Sequence, residues 1–166
     1  MTENTMQVIP SAQLFTVADP KRRYTSMVRA LQSLYKAPRG PHYLAITLLI
    51  ACYLDAIAAR GGTATKPGFL RFVRTNFRQL CAGLSNREPG MDGAEVFYKF
   101  YRSEMARTFF SRNPKYVIAE DHELKGAYVD DLQIVGRPGG RVAINVDRLY
   151  RDFVALAKRK ATRASL

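Results

Sequence analysis

From Met91 to Arg112 the chain reads MDGAEVFYKFYRSEMARTFFSR, and its signals for a helix agree at both ends. Asp92 is placed to cap the first turn, and Glu95, three residues on, to reach back to it in a capping box. Phe97, Tyr101, Met105 and Phe109 recur every four residues, with Phe100, Ala106 and Phe110 beside them. So wide an apolar stripe must face a core, and the rest of the fold has to supply one. Asn113-Pro114 ends the pattern, because the residue before a proline disfavours helical backbone. Arg102, Glu104 and Arg107 sit at the edge of the stripe, and any chemistry on this helix falls to them.

The segments before it supply candidate neighbours. Asp19-Pro20 opens a helix with aspartate as cap and proline in the first turn. Tyr24, Met27, Val28, Leu31, Leu34 and Tyr35 form its apolar side, while Lys21, Arg22, Arg23, Arg29 and Lys36 take the other. A second helix begins at Pro41, runs through Arg60 and is apolar nearly all round, as suits the central member of a bundle; Gly61-Gly62 terminates it. A third is expected from Lys66-Pro67 to about Leu80, with Phe69, Phe72, Val73, Phe77 and Leu80 inward and Arg71, Arg74 and Arg78 aligned outside. Residues 83–90 read as a polar loop.

Beyond Pro114 the period shortens and β-branched residues take over. Tyr116 to Ala119 reads as a short strand. Tyr128 to Val135 and Arg141 to Val146 read as a hairpin joined at Arg137-Pro-Gly-Gly140. Asn145 or Asp147 caps a last helix whose inward positions are Leu149, Tyr150, Phe153, Val154, Leu156 and Ala157. The expected architecture is mainly α: a bundle of about five helices with a small β-hairpin before the last one. Residues 1–18 read as an extended or mobile arm, and residues 19–166 as one helical domain.

With 26 Lys and Arg against 14 Asp and Glu the chain carries a formal charge of +12, which suits a polyanionic partner. Between Ala56 and Arg87 there are six basic residues and no acidic one. Cys52 and Cys81 lie inside apolar helical patterns and read as buried free thiols, which points to a reducing cytoplasm. No signal peptide is expected from the N-terminal residues. The most apolar run, Tyr43 to Leu54, is too short to span a bilayer. Phosphate-binding loops, GxGxxG, HExxH, GxSxG and CxxC patterns are all absent.

His42 and His122 are the only histidines. His42, at a helix start, reads as a packed or surface residue rather than a base. Glu120, Asp121, His122 and Glu123 are rich in ligand atoms, but their spacing matches no metal motif, so a solvated acidic loop is expected, with no metal and no cofactor. The Arg71, Arg74, Arg78 face is the best candidate for a polyanion, since arginine forks match phosphate geometry.

The segment FYKFYRSEMARTFF, followed by Pro114 and later by GGRVAINVDRLYRDFVALAK, resembles small bacterial and archaeal helical proteins that in turn look like divergent members of the HEPN superfamily, the higher eukaryote and prokaryote nucleotide-binding domains. The resemblance implies a helical bundle, frequent homodimerisation and, in active members, metal-independent RNA cleavage by an arginine and a histidine with four to six residues between them. Arg102 then takes the place of the motif arginine and Ser103 that of the polar residue after it. Arg107, Thr108 and Phe109 occupy the positions open to the histidine, so the general base is missing; a guanidinium stays protonated and cannot replace it.

The expected function is therefore a non-catalytic basic protein of HEPN-like build that binds RNA or another polyanion through Arg71, Arg74, Arg78, Arg102 and Arg107, as a homodimer. The alternative is an interaction module whose basic surface meets an acidic protein. A third reading, an RNA-cleaving enzyme that rebuilds its site from Arg102, Arg107 and a base in the acidic loop, ranks last.

Overall fold

The computed structural model describes residues 19–38, 40–59, 63–104, 115–132 and 140–164. Helix α1 (Pro20–Tyr35) starts where Asp19 Oδ1 accepts from the Lys21 amide at 2.9 Å, and buries Met27, Val28 and Leu31. Helix α2 (Tyr43–Ala58) follows, beginning two residues later than Pro41, with His42 at the cap position and exposed. Its Ile46, Ile50, Leu54 and Ile57 are buried. Cys52, expected to be buried, is exposed, and both cysteines are free thiols, because the apolar run exceeds the face the neighbouring helices cover. Residues 1–18 and the Gly61-Gly62 terminator lie outside the described residues.

The expected third helix is broken. Helix α3 (Lys66–Asn76) ends at Phe77, whose φ of −126° and ψ of 51° leave the helical region, and helix α4 (Arg78–Leu84) starts anew. Around the break Thr75 Oγ1 donates to the Arg71 carbonyl and Asn76 Nδ2 to the Phe72 carbonyl, both at 2.9 Å, while the Phe77 amide still reaches the Val73 carbonyl at 2.8 Å. The break turns Phe77 into the core at 2% exposure.

Helix α5 (Gly93–Val96) carries the expected capping box in full: the Glu95 amide donates to Asp92 and the Asp92 amide to the Glu95 carboxylate, each at 3.0 Å. It passes close to α4, since a Cβ on Gly93 would lie 1.8 Å from the Cys81 carbonyl oxygen. The α-helix lasts one turn and continues as a π-helix over Phe97–Glu104, a geometry that no sequence signal announced. Phe97, Phe100 and Tyr101 are buried, each contributing about 1.5–3 kcal/mol by leaving water. The part of this helix expected beyond Glu104, with Met105, Arg107 and Phe109, lies outside the described residues.

Strands β1 (Tyr116–Ala119), β2 (Val129–Leu132) and β3 (Arg141–Asn145) form one sheet in the order β1-β3-β2. The β2–β3 pair is antiparallel, as in the expected hairpin, whose turn at residues 133–139 lies outside the described residues, whereas β1 adds in parallel on the far side of β3. Val142 and Ile144 join the helical core, while Ala143 meets Ala119 and Leu124 in a small second cluster. Burial on both faces is what a central strand requires. The Tyr101 hydroxyl is directed between the Val117 and Val142 carbonyls, at 3.1 and 3.0 Å, and so joins the π-helical segment to β1 and β3. Helix α6 (Val146–Arg163) closes the chain, capped by Asn145, whose Oδ1 accepts from the Arg148 amide at 2.9 Å.

The fold is thus mainly α, with a small three-stranded sheet before the last helix. Among the described residues no helix is long and apolar enough to cross a membrane.

Candidate polyanion interface

Arg102 projects from the π-helical segment onto α2. Its Nε and Nη2 reach Asp55 Oδ2 at 2.7 and 2.5 Å, and its guanidinium lies 5.2 Å from the centre of the Tyr98 ring. The Arg102 side chain is 33% exposed and that of Asp55 14%. Burial lowers the pKa of Arg102, but the Asp55 carboxylate more than offsets this and the net shift is upward. Asp55, on a helix 47 residues earlier, carried no signal in the sequence of its role as partner to Arg102. Arg107 lies outside the described residues.

Neither described histidine stands near this pair. His42 precedes α2 while Asp55 lies near its end, 13 residues or roughly 20 Å along the axis. His122 Nδ1 is 3.3 Å from Glu120, and Glu120 belongs to the end of α2 at which Tyr43 sits. There burial, then the Asp147 and Glu120 carboxylates, push the Tyr43 pKa up to about 12. The acidic loop therefore stands at the opposite end of α2 from Arg102 and supplies it no base.

That loop is tied down rather than merely solvated. Asp147, at 8% exposure, accepts from the Tyr35 hydroxyl at 2.7 Å and from the Asp121 amide at 2.8 Å. Asp121 Oδ1 accepts from Asn145 at 2.6 Å and from Arg151 at 3.3 Å. Its carboxylates are used to seat the turn on the start of α6. No cluster of metal-ligating side chains occurs among the described residues.

The three aligned arginines are divided by the break at Phe77. Arg74 is fixed to the cap of α5, with Nε 2.7 Å and Nη2 2.6 Å from Asp92 Oδ2. Arg71 is exposed and shares a shallow depression with Lys66, Leu70, Arg74 and Glu95. Arg78 opens α4 instead and faces a different furrow, of about 300 Å³, whose other walls include Thr75, Asn76, Gln79, Asp152 and Arg159. Arg159 comes from α6, and Arg78 and Arg159 are both exposed.

Arg159 leads into a basic end that sequence reasoning did not assemble. Tyr35 stacks on Tyr150 with centroids 4.3 Å apart and bonds Asp147, so the end of α1 meets the start of α6 and the two helices run antiparallel. The first turn of α1 then lies level with the last turns of α6. Lys21, Arg22, Lys158, Arg159 and Arg163 are exposed there, and Lys160 lies over the Phe72 ring at 5.9 Å. Arg23 is spent otherwise: its Nη2 donates to the Ala56 carbonyl at the end of α2. The available signal was the pair of charge runs, Lys-Arg-Arg at the start of α1 and Lys-Arg-Lys near the end of α6, which only the antiparallel packing brings together.

The arrangement offers guanidinium and ammonium donors along one side and one end of the molecule, with no metal-ligating cluster among the described residues. Comparison with protein-family models, with curated proteins and with solved structures yields no match to this chain.

Proposed function

We propose that this chain is a non-catalytic, HEPN-like helical protein that binds RNA through the furrow between α3–α4 and α6 and the basic end beside it. The observation that supports this reading is the pairing of Arg78 with Arg159 across the furrow: both arginines are exposed, they come from different elements, and they continue into Lys160, Arg163, Lys21 and Arg22. Arg102 contributes to the fold through Asp55 and drops out of the binding set, as does the guanidinium of Arg74, which Asp92 holds. Arg71 remains at the margin. The place of the acidic loop, at the far end of α2 from Arg102, does not favour the RNA-cleaving alternative.

The experiment is fluorescence anisotropy of a labelled oligouridylate across a series of salt concentrations, with wild type and the Arg78→Ala/Arg159→Ala double variant. Each phosphate contact on a single strand contributes about −0.7 to the slope of log affinity against log salt, so the double variant should flatten the slope by about 1.4. An unchanged slope sinks the reading. Binding that does not weaken with salt, together with a stoichiometric acidic protein in the purified material, would support docking on an acidic protein instead.

A further inference from the structure

Asp152 is the one carboxylate lining the furrow. Among the described residues it forms no ion pair with Arg78 or Arg159. Its setting is built: the Tyr128 hydroxyl is buried beside it, the Arg148 guanidinium covers the Tyr128 ring at 5.1 Å, and Arg148 also donates to Gln79 on the furrow wall. A carboxylate that lines the same furrow as two arginines repels any phosphate set against it and accepts a hydrogen bond from any donor. Two arginines take two phosphates, and what lies between successive phosphates in a strand is a sugar. The only backbone donor there is the ribose 2′-hydroxyl, which DNA lacks. At about 300 Å³ the furrow is at the low end of small-ligand sites, so it has room for a single nucleotide unit.

We propose that Asp152 is a specificity residue that selects single-stranded RNA over DNA by accepting a hydrogen bond from a ribose 2′-hydroxyl held between Arg78 and Arg159. The inference rests on the polyanion reading of the furrow. It extends that reading by naming the sugar as the group discriminated. A deoxyribose at the same place offers the carboxylate no donor from the strand and leaves it close to two phosphates, so DNA is disfavoured.

The test compares a labelled oligouridylate with the matched oligodeoxyuridylate at one salt concentration, a base chosen because it has no exocyclic amino group to satisfy the carboxylate. Wild type should prefer RNA by roughly fivefold to tenfold, the worth of one hydrogen bond. Asp152→Ala should bring the ratio close to one, mainly by tighter binding of DNA. Asp152→Asn keeps a carbonyl oxygen beside Tyr128 without the charge; it should also tighten DNA binding, and it decides the matter if the alanine variant does not fold by circular dichroism. Equal affinity of wild type for both oligomers, a ratio that survives in the alanine variant, or DNA binding unchanged in the asparagine variant, overturns the inference while leaving the polyanion reading in place. Failure of wild type to bind either oligomer overturns both.

Discussion

Replacing Arg102 by alanine separates a structural role from a binding one. The two hydrogen bonds from Arg102 converge on one oxygen of Asp55, whose side chain is 14% exposed against 33% for the arginine. Breaking a fully buried pair from one side costs about 3–5 kcal/mol, because the remaining charge stays desolvated. A third of the Arg102 side chain is already wet, which reduces the figure to about 2 kcal/mol. In a domain of this size that lowers Tm by about 4–8 °C. Asp55→Ala should cost less, about 1 kcal/mol, since the arginine it strands reaches water more easily. The double variant should fall short of the sum of the singles. Thermal and urea unfolding by circular dichroism measure all three. If Arg102→Ala leaves Tm unchanged and abolishes oligouridylate binding, the pair is no strut and Arg102 is a ligand contact.

Three other outcomes follow from the packing. Gly93→Ala drives a Cβ against the Cys81 carbonyl oxygen, so α4 and α5 must part; the expected loss is about 3 kcal/mol or more, and a urea midpoint equal to wild type would show that the contact yields. Tyr101→Phe removes the hydroxyl set between the Val117 and Val142 carbonyls and should cost about 1–2 kcal/mol by the same assay, with no effect on the salt slope of binding. The Glu88 carboxyl is held below the usual range chiefly by its bond to Lys115 and then to the Tyr116 hydroxyl, against the pull of burial. A carboxylate with a depressed folded pKa stabilises above its unfolded value, about 4.3, and that stability is lost as pH falls through the folded pKa. The urea midpoint should therefore decline on acidification below that value, and less steeply in Glu88→Gln; parallel pH profiles would refute the assignment.

Where a local pattern decides the structure, the sequence was legible. The capping residues Asp19, Asp92 and Asn145, the inward faces of α1 and α6, and the β2–β3 hairpin all depend on neighbours within a few positions. What depends on distant partners was not legible. The periodicity of residues 66–80 is continuous, so nothing in it showed that the helix would break at Phe77, which turns into the core. That break, in turn, moves Arg78 away from Arg71 and Arg74 and into a furrow with Arg159. Parallel addition of β1 and the choice of Asp55 by Arg102 join segments far apart in sequence, which no periodicity reports. The apolar run around Cys52 pointed to burial, because hydropathy measures composition and not which side a neighbour covers.

The antiparallel seating of α1 on α6 leaves Lys21, Lys158, Arg159 and Arg163 exposed at one end of the pair, where Asp19 is the carboxylate and pairs with Arg22, while at the other end Glu120, Asp121 and Asp147 are interleaved with Arg148 and Arg151. Among the described residues the positive charge of this helix pair is thus displaced toward one end. A body charged in this way feels a torque as well as a pull in the field of a polyanion, and turns its basic end forward before contact. The rotational search that normally slows docking is shortened, so salt slows the approach itself and not only weakens the complex, within a range set by the Debye length of about 8–10 Å.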